Sequence, residues 1–305
     1  MTGIKAAIFA DFDNDADKDL FLGCFTGENR LFRNNGDSTF TDVTQRAGLG
    51  GYFVEVAASA DFNNDGQLDL YLGRYLDPRD ALPTTLFYTR NSGGNSLLRN
   101  DGNLRFTDVT EEAGVRDGGL TLGVAWGDAD ADGLIDLYVV NDFGRNTLFS
   151  NNGDGTFRDV SEKSGTLDFG YGMSSTFGDI DNDGDLDIYT SNLHSGQRWY
   201  GQAATVYQYL ITSVEQRTFF RDFPLYLEIV RLLGTDWSSL GNRIQKGNSL
   251  LINDGSGKYT DVAEAANANP FGWYWGSTMF DYNNDGLLDI YAANGYVTSK
   301  SKDDL

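Results

Sequence analysis

The sequence is short of the residues that form cross-links and histidine-based metal sites. It has one cysteine and one histidine in 305 residues, so Cys24 cannot form an intrachain disulfide and His194 cannot supply a multi-histidine zinc site. We predict that Cys24 is a small buried residue that ends a strand. Proline is also scarce, with four residues against 37 glycines, a balance that suits tight turns between short strands.

Long apolar runs and excess positive charge are also missing. No apolar run is long enough to cross a membrane. Residues Met1 to Ala10 contain one lysine and too short an apolar run for a secretory signal, so either the protein is not exported or its leader lies outside this sequence. The formal net charge is −22. Without a basic stripe, the chain is expected to bind no nucleic acid.

The negative charge is concentrated in five nine-residue loops, at 11–19, 61–69, 128–136, 179–187 and 281–289. These loops contain 20 of the 45 acidic residues and one of the 23 basic residues. A solvated acidic face would spread its charge over the surface, whereas here the charge recurs at one spacing inside turns. Hard cations require this arrangement of oxygen ligands.

The ligand positions are the same in each loop. Oxygen-bearing side chains occupy positions 1, 3, 5 and 9, and position 7 varies, so we expect a backbone carbonyl ligand there. Four side chains, one backbone carbonyl and water together give the six or seven oxygen ligands that calcium prefers. Magnesium is less suitable because it demands tighter octahedral geometry. The predicted ligands of about five Ca²⁺ ions are Asp11, Asp13, Asp15, Asp17, Asp19, Asp61, Asn63, Asp65, Gln67, Asp69, Asp128, Asp130, Asp132, Leu134, Asp136, Asp179, Asp181, Asp183, Asp185, Asp187, Asp281, Asn283, Asp285, Leu287 and Asp289.

Two further features bear on the loops. Position 6 is glycine in four of them, which allows a left-handed turn around an ion; Ala16 stands there in the first loop, where a positive φ would cost about 1–2 kcal/mol. The alternative interpretation is a set of Asx-rich turns without ions, which repulsion between crowded carboxylates disfavours. A helix–loop–helix calcium site is excluded because no glutamate stands at position 12.

The loops belong to a larger repeat. They begin about 50 residues apart except where insertions intervene, and a pair of short strands around an Asn/Gly turn follows four of them, starting at Asn29, Asn95, Asn146 and Asn248. In the third unit the strands are predicted at about 122–127, 135–141, 146–151 and 156–160. Ala-Gly pairs at 47–48 and 113–114 are interpreted as turns leading to the next unit.

Four antiparallel strands per unit predict an all-β fold of propeller blades, because one such sheet cannot bury both faces alone. We predict a single domain over 1–305, with about five blades or part of a larger propeller. The blades are predicted at about 1–50, 51–115, 116–166, 167–269 and 270–305, the last incomplete. Residues 75–94 are interpreted as an inserted loop, and 193–247 as a helical insertion with helices over Ala203 to Gln216 and Pro224 to Leu233, the second capped by Asp222.

The repeated Asp-x-Asp/Asn-x-Asp-Gly-x-x-Asp loop, combined with Asn-x-Leu-Phe-x-Asn-x-Gly-x-x-x-Phe-x-Asp-Val, resembles FG-GAP/VCBS repeats. More narrowly, it resembles the ASPIC/UnbV, cartilage-acidic-protein-like group. The resemblance covers nearly all of the chain except 193–247. It implies an integrin-α-like propeller, secreted or exposed at the cell surface or in the periplasm, with calcium in each hairpin loop and a role in adhesion.

The favoured function is therefore a non-catalytic module, stabilised by calcium, that contacts a protein or a glycan. Its predicted contact surfaces are the 75–94 loop, the 193–247 insertion and the cluster from Phe271 to Trp275, although Trp273 and Trp275 are more typical of core packing. A propeller-fold polysaccharide lyase or hydrolase is one alternative, with His194, Asp142, Glu215 and Asp236 as the few catalytic candidates. A sugar-binding lectin is another. No catalytic constellation is evident, so we expect no enzyme activity.

Overall fold

Short runs rich in β-branched and aromatic residues form the strands of the computed structural model. It describes residues 3–76, 88–194 and 246–295, with a few more between 223 and 232. Unit 1 contains β1 (Ile4–Ala10), β2 (Asp19–Cys24), β3 (Arg30–Asn34), β4 (Phe40–Asp42) and the one-turn helix α1 (Thr44–Ala47). Unit 2 contains β5 (Val56–Ala60), β6 (Asp69–Gly73), β7 (Ser96–Asn100), β8 (Phe106–Asp108) and α2 (Thr110–Ala113).

The later units repeat this order. Unit 3 contains β9 (Leu120–Gly127), β10 (Asp136–Asp142), the two-residue β11 (Gly144–Arg145), β12 (Thr147–Asn151), β13 (Phe157–Asp159) and α3 (Ser161–Ser164). Unit 4 contains β14 (Phe169–Gly170), β15 (Gly172–Gly178), β16 (Asp187–His194), β17 (Ser249–Asn253) and β18 (Tyr259–Asp261). Unit 5 contains β19 (Gly272–Phe280) and β20 (Asp289–Asn294).

Each of the first four units is an antiparallel sheet whose four main strands lie side by side in chain order. Strands one and two of each unit form a hairpin, for example with Ala10 opposite Asp19 and Gly127 opposite Asp136. The two strands of unit 5 pair in the same way, and the start of β19 also pairs with the end of β16. The predicted all-β, propeller-type fold of four-stranded blades is therefore confirmed.

The hydrophobic core lies in the seams between successive sheets. The first strand of each unit packs against the first strand of the next. Within the described residues, four apolar clusters fill the seams between neighbouring units, and unit 5 contributes only partly buried side chains to the last of them. In the seam between units 1 and 2, for example, Phe12 and Phe21 meet Leu70 and Leu98, all at most 1% exposed. Packing of sheet on sheet is what buries both faces of each middle sheet.

Several local predictions can be compared with the structure. Cys24 is buried at the end of β2, as predicted. The interpretation of Ala47-Gly48 and Ala113-Gly114 as turns was incomplete, because a one-turn helix precedes each glycine. The glycine ends that helix in a left-handed conformation, with a φ of 73° in both cases. The described residues between 223 and 232 are helical, whereas the helix predicted over 203–216, the cap Asp222 and most of the 75–94 loop lie outside the described residues.

Candidate metal centres in the hairpin loops

Each acidic loop connects the first and second strands of its unit and is folded by its own side chains. The aspartate at position 1 accepts two backbone hydrogen bonds, from the N–H groups of positions 5 and 6. In loop 1 these join Asp15 N to Asp11 Oδ1 at 3.1 Å and Ala16 N to Asp11 Oδ2 at 2.9 Å. Equivalent bonds occur in the other four loops. The chain therefore curls around position 1 in all five.

The curl requires left-handed backbone at two positions. At position 6, φ is 86° for Gly133 and 70° for Ala16, so the strain expected for Ala16 applies. Position 4 is also left-handed in every loop, as at Asn14 and Ala131 with φ values of 59° and 57°. Sequence analysis missed position 4, although asparagine, which tolerates this conformation better than most residues, stands there in four loops.

The aspartate at position 9 attaches the loop to its sheet. In loop 3, Asp136 Oδ2 accepts a hydrogen bond from Ala129 N at 2.8 Å, and Oδ1 accepts one from Asn151 N at the end of β12, also at 2.8 Å. Asp69 is bonded in the same way. Burial raises the pKa of both carboxyls to about 7, against the lowering effect of these backbone donors. These buried groups are therefore costly to ionise without a nearby cation.

Carboxylates converge most closely in three of the loops. Ligand oxygens lie within 4.8 Å of one another in the groups Asp11, Asp13 and Asp15; Asp128, Asp130 and Asp136; and Asp179, Asp181 and Asp187. Loops 2 and 5 have asparagine at position 3, so they contribute fewer carboxylates. There the Asn63 side-chain amide donates to Asp65 Oδ2 at 2.9 Å, and Asn283 donates to Asp285 in the same geometry.

The position 3 side chains support a cation most directly. Asp13 Oδ1 and Asp130 Oδ1 are buried and accept no hydrogen bond. Burial, followed by repulsion from neighbouring loop carboxylates, raises the pKa of Asp13 and of Asp130. A buried carboxylate oxygen without a donor is unfavourable unless a cation binds to it. With oxygen-only donors, the loops fit a hard divalent ion.

Asparagines at the ends of the third strands join the loops of neighbouring units. Asn151 Nδ2 donates to Ile135 O of its own loop at 3.1 Å and to Phe62 O of the preceding unit's loop at 2.8 Å. Asn100 and Asn253 make the same pair of contacts in units 2 and 4. Sequence analysis recognised these residues only as the start of Asn/Gly turns. The repeated Asn at one strand end was the available signal.

The described chain is interrupted twice at the end of the strands opposite the acidic loops. β6 and β16 end there and β7 and β17 begin there, because neighbouring strands are antiparallel. The chain returns at Arg90, whose guanidinium lies 3.9 Å from the buried Asp117, and at Lys246, whose ammonium lies 3.0 Å from the buried Asp168.

The catalytic candidates do not form a site among the described residues. Asp142 is buried and accepts a hydrogen bond from the Tyr75 hydroxyl at 2.7 Å, and burial raises the pKa of this carboxyl to about 7. His194 is the last residue of β16, and Glu215 and Asp236 lie outside the described residues. The expectation that both tryptophans pack in the core is wrong for Trp275, which is 44% exposed; Trp273 is half-buried.

Comparisons with known proteins give a consistent assignment of the repeat. A family model described as FG-GAP-like repeat matches residues 11–72, 85–139, 128–190 and 234–292. Human cartilage acidic protein 1 is 26% identical over 224 residues, covering 67% of this chain and 34% of the human protein. The mouse and Xenopus tropicalis proteins of the same name are each 25% identical, covering 64% of this chain. The chain spans about a third of the length of these curated relatives.

One solved structure, that of the V. cholerae biofilm matrix protein Bap1, is similar at 14% identity with a TM-score of 0.29, over 63% of this chain and 36% of that one. Among the described residues, no helix has the length and apolar character needed to span a bilayer.

Proposed function

The chain belongs to the FG-GAP-like repeat family, and from this premise we propose that it is a calcium-stabilised, propeller-type module that binds a protein or glycan without catalysing a reaction. The observation that carries the proposal is the repeated loop geometry. Five loops present oxygen ligands from the same positions, and in two of them a buried carboxylate oxygen at position 3 has no donor. Relatives named for an acidic cartilage protein support an extracellular location, where free calcium is abundant.

Calcium in these loops has a structural role in the proposal. The ion would be held by side chains at positions 1, 3, 5 and 9 and by the position 7 carbonyl, and it would offset the repulsion between them. Because position 9 of loops 1 to 4 is hydrogen-bonded to the third strand, an ion there would also fix the hairpin relative to its sheet. Folded protein then binds calcium and unfolded protein does not, so stability rises with free calcium by mass action.

Calorimetric titration of metal-stripped protein tests the metal assignment. We expect about five sites, and about four after Asp132→Ala. The matched control is Asp154→Ala, which removes an exposed aspartate from the Asn/Gly turn of the same unit and should leave the number of sites unchanged. A melting temperature that does not respond to calcium in the unchanged protein would argue against the structural role.

The proposed binding surface is the end of the strands opposite the acidic loops, where β6 and β16 end and β7 and β17 begin. A glycan ligand is favoured by one specific observation, the exposed Trp275, whose ring centroid lies 6.5 Å from that of Trp273. Exposed aromatic faces stack on the apolar faces of sugars as they do on other ring systems.

A non-catalytic role is favoured because the described candidate, Asp142, is hydrogen-bonded to a tyrosine and is 5% exposed, whereas glycoside hydrolysis uses two carboxyl groups flanking the substrate. Screening on a glycan array with calcium present tests the ligand class. Glycan binding that is lost in Trp275→Ala and kept in His194→Ala and Asp142→Asn supports a lectin-like module. Polysaccharide turnover that either of the latter two variants abolishes would support the lyase or hydrolase instead.

A further inference from the structure

The residue at position 2 of each loop connects two of the predicted metal ligands, those at positions 1 and 3. Its backbone N–H donates to the carboxylate at position 9 of the same loop. In loop 2, Phe62 N lies 3.2 Å from Asp69 Oδ2, and in loop 3, Ala129 N lies 2.8 Å from Asp136 Oδ2. Equivalent bonds occur in loops 1, 4 and 5. Position 2 is therefore held on one side by a predicted ligand of its own loop.

The carbonyl group of position 2 is held from the other side, by the following unit. There the asparagine at the end of the third strand donates to it through its side-chain amide. Asn151 Nδ2 lies 2.8 Å from Phe62 O, and Asn253 Nδ2 lies 3.0 Å from Ala129 O. Asn100 makes the same contact with loop 1. The orientation of the segment between ligand positions 1 and 3 therefore depends on a side chain from another unit.

The same amide also donates to the loop of its own unit. Asn151 Nδ2 lies 3.1 Å from the carbonyl oxygen of Ile135 at position 8, between the predicted ligands at positions 7 and 9. A side-chain amide has two N–H donors, so one serves each loop. The amide oxygen accepts a hydrogen bond from Gly153 N at 2.9 Å, which fixes the orientation of the group. Asn100 and Asn253 repeat these contacts.

Hydrogen bonds of this kind join four loops into one continuous series. The asparagine also donates its backbone N–H to position 9 of its own loop, as Asn151 N does to Asp136 Oδ1 at 2.8 Å. From loop 4 back to loop 1, the series consists of Asp187, Asn253, Ala129, Asp136, Asn151, Phe62, Asp69, Asn100, Phe12 and Asp19. Each of these residues is at most 4% exposed. Loss of one amide is therefore costly, because the carbonyl groups that it leaves without a donor are buried.

We propose that Asn100, Asn151 and Asn253 are positioning residues for two metal sites each, one in their own unit and one in the preceding unit. The inference rests on the calcium sites of the proposed function. The amides do not contact the ion; they hold the backbone that carries the ligands at positions 1, 3, 7 and 9. Removing an outer partner of this kind commonly lowers metal affinity by roughly 10- to 100-fold.

A purely structural amide would have a different effect on calcium binding. Loss of two buried hydrogen bonds in a seam lowers the free energy of unfolding, and a general loosening of the fold would weaken binding in every loop. A positioning role confines the effect to the two loops that share the amide. The number and identity of the weakened sites therefore distinguish the two roles.

Calorimetric titration with calcium, well below the melting temperature, measures this pattern. Asn151→Ala should weaken two of the sites by about tenfold or more and leave the others unchanged. The matched control is Asn152→Ala. This neighbouring side chain is exposed and bonds to Thr156 and Arg158 of the same hairpin, so every site should keep its affinity.

Deletion of ligands identifies the two weakened sites. Asp132→Ala removes the site in loop 3, and adding Asn151→Ala to this variant should still weaken one of the remaining sites, that in loop 2. When Asp65→Ala is also present, the sites in loops 2 and 3 are both lost. Asn151→Ala should then leave the affinity of the remaining sites unchanged. The loop 2 site is the decisive one, because it lies in a different unit from the substituted asparagine.

Asn253→Ala extends the test to the next seam, and it serves as the second variant if Asn151→Ala does not fold. It should weaken the sites in loops 3 and 4. Weakening confined to the asparagine's own loop, an equal loss at every site, or unchanged affinities in both variants would overturn the proposal and leave the calcium sites standing. Absence of calcium binding in the unchanged protein would instead refute the sites themselves, and the positioning role with them.

Discussion

Units 3 and 5 contain the same hairpin loop in different surroundings. The loops have matching internal geometry, with Asp132 N 3.1 Å from Asp128 Oδ1 and Asp285 N 3.1 Å from Asp281 Oδ1. Their glycines have the same φ of 86°. The flanking strands differ sharply, because Tyr138 in unit 3 is fully buried whereas the equivalent Tyr291 in unit 5 is 59% exposed.

The comparison shows that the loop sequence determines the loop conformation, whereas the neighbouring units determine how far the side chains are buried. The loop conformation follows from its own aspartates and left-handed residues, so it is the same with or without a following sheet. Burial, and with it most of the stabilisation from apolar contacts, depends on the next unit in the series. The loop structure therefore depends on residues within the loop, whereas the packing in a seam depends on residues of two units.

Truncating the matched tyrosines should give the largest contrast between the units. Tyr138→Ala removes a fully buried ring and should lower the free energy of unfolding by about 3–5 kcal/mol. Tyr291→Ala removes an exposed ring and should change it by less than about 0.5 kcal/mol. Urea unfolding in saturating calcium measures both. Equal losses would mean that stability is not concentrated in the seams.

Removing the asparagine side chains at the ends of the third strands should also lower stability by different amounts in different units, although the difference should be smaller than for the tyrosines. Asn151→Ala leaves the carbonyls of Phe62 and Ile135 without their donor and should cost about 1–3 kcal/mol. Asn34→Ala leaves only one carbonyl, that of Lys18 within unit 1, without its amide donor and should cost less. Both variants are compared by chemical denaturation under the same conditions. A larger loss for Asn34 would contradict the role of these amides between units.

Protonation provides a third comparison, between metal-free and calcium-loaded protein. Burial raises the pKa of Asp136 from its ordinary value of 3.8 to about 7. Such a carboxyl stabilises the folded state while it is protonated in the fold and ionised in the unfolded chain, so metal-free protein should lose about 1 kcal/mol per pH unit for each such carboxyl between about pH 4 and pH 7. Calcium binding needs the ionised form, so the gap in melting temperature between the two forms should widen over the same interval. In Asp136→Asn the widening should be smaller, and a gap independent of pH in the unchanged protein would refute the assignment.

Loop 1 offers the smallest expected effect. Ala16→Gly relieves a left-handed alanine and should stabilise the protein by roughly 0.5–1 kcal/mol, after allowing for the greater chain entropy of glycine. The reciprocal change, Gly133→Ala, should destabilise by a similar amount. Thermal unfolding in calcium measures the pair. Destabilisation by Ala16→Gly would show that contacts of the Ala16 methyl group stabilise the fold by more than its left-handed backbone destabilises it.

Much of the architecture could be predicted because its determinants are local and repeated. The third-unit strands expected at about 122–127, 135–141, 146–151 and 156–160 occur at Leu120–Gly127, Asp136–Asp142, Thr147–Asn151 and Phe157–Asp159. The aspartate spacing located all five hairpin turns. The positive φ expected for Ala16 is present, since the other four loops have glycine there.

Features that depend on neighbouring units could not be predicted in this way. The repeated asparagine at the end of the third strand marks Asn151 in the sequence, but it does not show that its amide reaches a carbonyl 89 positions away. The same limit applies to Trp275, whose burial depends on what packs on unit 5 and not on its own alternating pattern. The one-turn helices before Gly48 and Gly114 were too short to show helical periodicity.

The cations that hold the returning ends of the insertions have a practical consequence. Arg90 and Lys246 each pair with a buried aspartate, so the sheets hold the chain shortly before the third strands β7 and β17 begin. A foreign peptide grafted between Leu76 and Tyr88 would therefore rejoin the sheet two residues before Arg90, which is already paired with Asp117.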